Sequence, residues 1–428
     1  MNDQIANGTI LKETTTRDKA ISPEDRDILR QLALEMAELA SLPIQKEKAA
    51  LWTAHNDLQH TRPLVFCDPE NGWNEIISED DLQCKSELSR EWEMYLRKEI
   101  YWGTKFNDDK VIDAIFYVPY AAIESDWGMH ERRIVSEKTG GAYKWEAPLK
   151  DYKDLDKLHY PTITVDHIAT NRIKGLAEEV FGDILEIKVK HKWWWSLGLT
   201  LTLVNIRGLE QIMYDMYDYP DELHKLMEIL RDGHMAKLDF LQENGLLPDN
   251  TGNTYVGSGG FGYTKQLPQK NHNPEKVMTQ DMWGFCESQE TSVVSPEMFR
   301  EFILPYQLPI AERFGLNCYG CCEPLDGRFD YIQDIHNLRR VSVSPWSNTE
   351  LMAEKLSNQY IYSYKPNPAY LAVGNIDEGF IRKSLRELIR KTKNCCLEII
   401  MKDNNTIGGN PYNVYKWIEI AKQETQNA

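Results

Sequence analysis

MWGFCESQETSVVSPEMFREFILPYQLPIAERFGLNCYGC, residues 282–321, holds one complete strand–helix–strand unit. Its first apolar run, Met282–Glu287, ends on a carboxylate. Ser295-Pro296-Glu297 then supplies a helix cap, a first-turn proline and an acid at the positive end of the dipole. The helix runs towards Gly315, and Pro305 and Pro309 should kink or split it. A second apolar run, Leu316–Cys321, comes at once.

The same rhythm extends in both directions from about residue 110 onward, as a parallel α/β fold requires. The expected strands are Val111–Val118, Ile184–Val189, Thr254–Gly257, Met282–Glu287, Leu316–Cys321, Arg340–Ser344, Tyr360–Tyr364 and Leu397–Met401, with Trp194–Val204 as a competitor for one place. Helices are expected from Tyr219-Pro220-Asp221-Glu222 to Asn244, closed by Gly245, and over Asn375–Thr392. The count and alternation predict a (β/α)₈ barrel over residues 106–428, with its chemistry at the C-terminal ends of the strands.

Upstream the pattern is different. Residues 1–20 are polar and aperiodic, as in a loose arm. Ser22-Pro23-Glu24-Asp25 opens a helix with Leu29, Leu32, Leu34, Met36 and Leu39 as its apolar face. Leu82–Glu99 reads as a second helix striped by Leu88, Trp92, Tyr95 and Leu96, and residues 42–105 carry no clear strand until late. Residues 1–105 are therefore expected as a helical cap on the barrel.

Composition narrows the class. The 428 residues carry a formal charge of -17, which repels phosphate backbones and argues against a nucleic-acid partner. No long apolar run or secretion signal is present, so a cytoplasmic protein without a membrane partner is expected. The eight cysteines are then expected as reduced thiols, although two pairs are adjacent, Cys321-Cys322 and Cys395-Cys396.

The strand ends supply the candidate site. Tyr319-Gly320-Cys321-Cys322-Glu323-Pro324 is the most informative segment, because thiolates and a carboxylate at one strand end can hold zinc, with Asp403 or Glu287 adding a ligand from another strand. The alternative is one buried cysteine and one that caps a turn. Strand alternation would put Cys318 on the face opposite Cys321. Lys365, in Tyr-Lys-Pro-Asn-Pro, can pair with a carboxylate or an anionic leaving group. Glu287, Gln289 and Trp346 also lie at strand ends. Three adjacent tryptophans, Trp193-Trp194-Trp195, cannot share one core, so one should line a pocket or interface. His191 comes just after a strand and is a pocket candidate, whereas His224 and His234 on a helix are expected at the surface.

Five segments in this order carry a family resemblance: Arg207-Gly208-Leu209-Glu210, Ser295-Pro296-Glu297-Met298-Phe299, the Tyr-Gly-Cys-Cys-Glu-Pro turn, Val373-Gly374-Asn375-Ile376-Asp377 and a closing Pro411–Ala421 helix. From about residue 105 to its end the chain resembles the uroporphyrinogen decarboxylase superfamily, which implies a (β/α)₈ barrel. Two activities occur in that family. The tetrapyrrole decarboxylases carry an R-Q-A-G-R-Y motif with no match here; Arg62-Pro63 is the nearest basic point. The corrinoid-linked methyltransferases that act on coenzyme M show H-x-C and a later cysteine. Here Tyr319-Gly320-Cys321 replaces the first, and Met401–Thr406 lacks the second. The chain looks most like a divergent branch similar to the substrate-demethylating components of O-demethylase systems.

That resemblance implies methyl transfer from a small methyl ether, aromatic by expectation, to the Co(I) of a partner corrinoid protein, since no D-x-H-x-x-G signature is present in this chain. The departing oxygen needs a cation or a proton, because a phenol has a pKa of about 10. Cys321, Cys322 and Asp403 are the expected zinc ligands. Glu323, Glu287 and Tyr319 are the acid–base candidates, and Lys365 steadies the oxyanion. Trp194 and Trp346 would sandwich the ring, with His191 and Gln289 also lining the pocket. The alternatives are a tetrapyrrole decarboxylase, for which Arg339-Arg340 and Arg132-Arg133 are the only paired arginines to clamp a poly-acid, and a tetrapyrrole- or corrinoid-binding barrel without catalysis.

Overall fold

A computed structural model describes residues 20–426, apart from 131, 135–143 and 274–275. The arm expected over 1–20 therefore lies, except for Ala20, outside the described residues. Strands with parallel partners are β1 Leu64–Cys67, β2 Ile115–Val118, β3 Glu186–Val189, β4 Trp283–Cys286, β5 Leu316–Tyr319, β6 Leu338–Val343, β7 Ile361–Tyr364 and β8 Cys396–Met401. Six of them form one parallel sheet in the order β1-β8-β7-β6-β5-β4, and β2 pairs with β3 in a second parallel ladder. Every residue of β1, β4 and β5 is buried, as expected for parallel strands covered on both faces.

The ladders do not close into a ring among the described residues. Single backbone bonds flank each open edge: Asp109 N donates to Val65 O (2.8 Å) beside β1, and Leu197 N donates to Phe285 O (2.9 Å) beside β4. Asp109 precedes β2 and Leu197 comes after β3, so the β2–β3 pair lies between the two edges along the chain.

Two expectations about strands are corrected. The first 105 residues are not wholly helical: β1 lies there and pairs with β8, Cys67 opposite Met401. Only four residues long, it is hidden in a polar, aromatic segment. Thr254–Gly257 is not a strand of the sheet. It enters a tight antiparallel turn, with Tyr255 bridged to Phe261 and positive φ at Gly257, Gly259 and Gly260. This turn packs into the interior: a Cβ on Gly257 would sit 2.9 Å from Cys318 Sγ, and one on Gly260 would sit 2.9 Å from an Arg340 nitrogen. Only glycine permits both the backbone and the approach.

The helices obey their caps. Ser22 Oγ accepts from Asp25 N (3.1 Å) to open Pro23–Ser41. Leu29, Leu32 and Met36 of that helix are buried, but Leu34 is turned to solvent, out of the stripe assigned to it. A further helix, Pro43–Asn56, carries its end beneath the sheet: Asn56 Nδ2 donates to Phe261 O (2.6 Å) and Asn56 Oδ1 accepts from Arg340 (2.6 Å). The predicted split of the helix after Ser295 occurs at Ile303, just before Pro305, giving Pro296–Phe302 and Leu304–Ala311. The helix expected over Leu82–Glu99 runs from Glu87 to Tyr101, and His167–Phe181, Pro220–Glu243, Glu378–Lys391 and Tyr412–Gln426 are further long helices. No described helix is long and apolar enough to cross a membrane.

Candidate active site at the strand ends

Parallel register aligns the ends of β5 to β8 and gathers the residues just beyond them. After Tyr319 the backbone turns at Gly320, whose φ is +88°. This turn breaks the strand alternation, so Cys318 and Cys321 enter the same apolar cluster with Phe285, Leu316 and Ile361. The expectation of opposite faces fails for that reason. After Met401 the chain passes Lys402 and reaches Asp403, whose φ is +61°. A non-glycine residue held in that region marks a conformation imposed by its surroundings.

These two turns meet. Cys321 Sγ and Cys322 Sγ are 3.5 Å apart, and Cys322 Sγ donates to Asp403 Oδ2 at 3.2 Å. One ligand atom from each of the three residues lies within 4.8 Å of the others. Lys402 Nζ lies 3.6 Å from Cys321 Sγ, 3.1 Å from Asp403 Oδ1 and 3.3 Å from Ser258 Oγ of the glycine turn. The Cys322 contact, joined by Lys402, holds the Cys321 thiol below its usual range despite burial. Burial raises Asp403, but Lys402 and Cys322 outweigh it and keep the carboxylate ionised. Burial likewise opposes the charge on Lys402, yet Cys321, Tyr255 and Asp403 hold its pKa well above the ordinary value.

The donor set fits a zinc ion. Two sulfurs sharing one tetrahedral zinc at about 2.3 Å each lie about 3.8 Å apart, close to the separation found. Cys321, Cys322 and Asp403 would hold the ion, which leaves one tetrahedral position open.

Lys365 is buried at the end of β7, where its Nζ donates to Ser363 Oγ at 2.6 Å. Burial lowers it to about 8, and its charged neighbours are Glu398, Lys402, Cys321 and Arg340. Glu287 is fully buried with one oxygen accepting from Gln289 N (2.8 Å) and the other unpartnered. Burial, Glu290 and Glu323 push its pKa well up, so it is a neutral acid. Gln289 itself bonds Glu290 (3.1 Å). Glu323 uses both oxygens on backbone, accepting from Ser288 N (2.8 Å) and Cys321 N (2.9 Å), so it braces the cysteine turn.

Other candidates lie elsewhere. Tyr319 points to the helix layer, its hydroxyl donating to Gln307 Oε1 (2.8 Å) and its ring packing on Phe299, because the last strand residue alternates away from Cys318. Trp194 packs on Phe314 (6.3 Å between centroids), whereas Trp195 borders the cluster of Cys321 and meets Phe285 edge-on (5.5 Å). Of the triplet it is Trp195, not Trp194, that borders the cysteine cluster. Trp346 is 69 % exposed and stacks on no ring among the described residues. His191 packs at a tilt against Trp193 (4.3 Å between centroids) with Nδ1 unpartnered among the described residues, and burial lowers it to about 4. His224 stacks on Phe302 (4.6 Å). His234, expected at the surface, has both ring nitrogens buried beside Trp127.

Arg339 and Arg340 are engaged within the fold. Arg340 bonds Glu398 (2.9 Å), and Arg339 bonds Asn56 O (2.6 Å) and Gln266 (2.9 Å). Arg132 and Arg133 lie in a short strand whose side chains fall outside the described residues. Sequence reasoning missed Lys402 as a site residue, and Glu70, which burial raises to about 7 beside Lys402, Asp68 and Asp403. Lys402 was legible as the neighbour of Asp403. Glu70 was not, because β1 carried no strand signal. A surface groove lined by Trp145, Lys150, Arg207, Glu210 and Tyr214 shares no residue with this site.

No family model matches the chain, and no curated protein matches it. Among solved structures the chain is similar to a methyltransferase from Methanosarcina mazei, with a TM-score of 0.47, 12% identity, and coverage of 88% of this chain and 97% of that one.

Proposed function

We propose that this chain is a methyltransferase that moves a methyl group from a small methyl ether, aromatic by preference, to the Co(I) of a separate corrinoid protein. The observation that carries the proposal is the convergence of Cys321, Cys322 and Asp403 on one point, with Lys402 and Lys365 behind it. The proposal includes a closed eight-stranded barrel, in which β2 and β3 fill the gap between β4 and β1. Eight free thiols suit the reducing cytoplasm.

Breaking an ether carbon–oxygen bond leaves negative charge on oxygen, and this must be neutralised as it forms. Zinc held by Cys321, Cys322 and Asp403 would serve as a Lewis acid for that oxygen, and the partner's corrinoid supplies the nucleophile. The chain's own residues do the rest. Lys365, kept in place by Ser363, presents a cationic N–H group from a dry wall. Glu287, neutral and with a free oxygen, holds a proton beside the cysteine turn. Glu323 fixes the turn by its two backbone bonds. Trp195 and Phe285 offer an apolar wall to the donor's ring.

The test is direct. Purified chain loaded with zinc is mixed with chemically reduced Co(I) cobalamin and a panel of O-, N- and S-methyl donors, and loss of the Co(I) absorption is monitored. Methylcobalamin formed from an O-methyl donor, and abolished by Cys322→Ala, is the expected result. No methylation from any donor, or methylation indifferent to Cys322→Ala, overturns the proposal.

A further inference from the structure

The second vicinal pair, Cys395-Cys396, stands at the start of β8, the end opposite Lys402 and Asp403. Seven residues at about 3.3 Å each separate Cys396 from Asp403, so the two places are roughly 20 Å apart. The two thiols diverge. Cys395 Sγ contacts Ala353 O at 3.6 Å, towards the helix Thr349–Leu356. Cys396 Sγ turns the other way, to His55 at the end of the helix Pro43–Asn56.

That second contact is one of a chain of three. Cys396 Sγ lies 3.3 Å from His55 Nδ1 and 3.2 Å from His55 O. His55 Nε2 lies 3.1 Å from Glu398 Oε2. Glu398 is fixed in turn by Arg340 Nε (2.9 Å) and by the Ser363 hydroxyl. A carboxylate on Nε2–H leaves the Nδ1 lone pair facing the sulfur. Nucleophile, base and orienting acid thus stand in the order that activates a thiol. His55 and Glu398 are fully buried, whereas Cys396 is partly open to solvent. Arg339 adds a further positive charge within electrostatic reach of the sulfur. A partly exposed cysteine in electropositive surroundings is the environment in which thiolates react.

We propose that Cys396, His55 and Glu398 form a second chemical site, a base-activated thiol at the strand-start end of the sheet that is modified by small disulfides. The Sγ proton passes to His55 Nδ1, and the thiolate attacks one sulfur of the disulfide. A new bond joins Cys396 to that sulfur as the reagent's own sulfur–sulfur bond breaks. The departing thiolate takes its proton from His55 Nδ1–H, so Cys396 is oxidised to a mixed disulfide and half of the reagent is reduced to a thiol. Burial opposes a charge on His55, yet Cys396 and Glu398 raise its pKa to about 9, as suits a base that takes up the thiol proton. This site is independent of the methyl-transfer proposal.

The experiment uses the full chain and glutathione disulfide, with modified peptides ranked by mass over time. Cys395 is the internal control: it is the chain neighbour of Cys396, also partly open, and burial raises its thiol to about 11. Cys396 is expected to be modified first, about tenfold or more faster than Cys395 or Cys322. In His55→Gln, checked for folding by circular dichroism, its rate should fall by about tenfold. Equal rates at Cys395 and Cys396 in the unaltered chain overturn the proposal without any variant. So does a Cys396 rate that a folded His55→Gln leaves unchanged.

Discussion

Cys322 Sγ lies 3.2 Å from Asp403 Oδ2 although two strands, β6 and β7, separate their strands in the sheet. In a flat sheet three inter-strand steps of about 4.8 Å would set the strand ends about 14 Å apart. The contact therefore needs the sheet to curl strongly about an interior, and Cys318, Arg340 and the glycine turn fill that interior.

The same contact defines the effect of removing one ligand. Cys322→Ala deletes a donor shared by the two turns, while Cys321 and Asp403 remain. Loss of zinc affinity should exceed the 10–100-fold typical of outer-shell partners, on the order of 100-fold or more. Metal content after dialysis against a graded chelator checks it: about one zinc per chain in the unaltered protein, and near none in Cys322→Ala. Equal zinc in both would place the metal elsewhere or nowhere.

Much of the sheet was legible because parallel strands buried on both faces read as continuous apolar runs, as WGFC and LNCY do. The failures have physical causes. Tyr255–Phe261 begins like a strand, but its glycines let the chain fold back inside the sheet. β1 is too short and too polar in its flanks to be distinguished from loop. Cys321, Cys322, Asp403 and Lys365 were legible because strand ends can be counted from the sequence. Trp194 and Trp195 could not be told apart because the segment has no strand register to set which tryptophan faces inward, and Tyr319 misleads because the turn at Gly320 hides which side the last strand residue takes.

The two tryptophans should separate cleanly in experiment. Trp195 borders the cysteine cluster, so Trp195→Ala should raise the KM for an aromatic donor several-fold, with a modest loss of stability. Trp194 packs on Phe314 and away from that cluster, so Trp194→Ala should cost about 2 kcal/mol in denaturant unfolding and leave KM within about twofold. Steady-state kinetics and urea melts on both variants give the comparison, and the reverse pattern would restore Trp194 to the pocket.

Glu287 offers a test through its charge. Burial beside Glu290 and Glu323 raises its folded pKa well above the ordinary 4.5. The folded state therefore holds this proton more tightly than the unfolded chain does. By linkage, stability contributed at this position falls as pH rises above the unfolded value. Glu287→Gln copies the neutral acid and cannot ionise. It should match the unaltered protein near the unfolded pKa and become the more stable of the two as pH rises, in thermal unfolding measured across that range. Methyl transfer should nonetheless drop, because the amide cannot release the proton. A variant that is less stable at every pH would mean the native carboxyl is ionised.

The His55–Glu398 pair makes the opposite prediction in two directions. Burial raises Glu398, but Arg340 and His55 outweigh it and hold it down to about 2, against an ordinary 4.5. Burial lowers His55, but Cys396 and Glu398 outweigh it and raise it to about 9, against 6.5. The depressed acid contributes stability that is complete above 4.5 and is lost as pH falls through about 2. The raised base contributes stability that is complete below 6.5 and is lost as pH rises through about 9. The pair is therefore worth most between 4.5 and 6.5. Removing His55 takes away one partner of Glu398 while Arg340 remains, and should cost on the order of 3 kcal/mol there. His55→Gln compared with the unaltered chain by urea unfolding should show its largest deficit in that window, shrinking by on the order of 3 kcal/mol as pH approaches 9. A deficit that stays constant from the window to pH 9 would mean that His55 is neutral and that packing alone explains its burial.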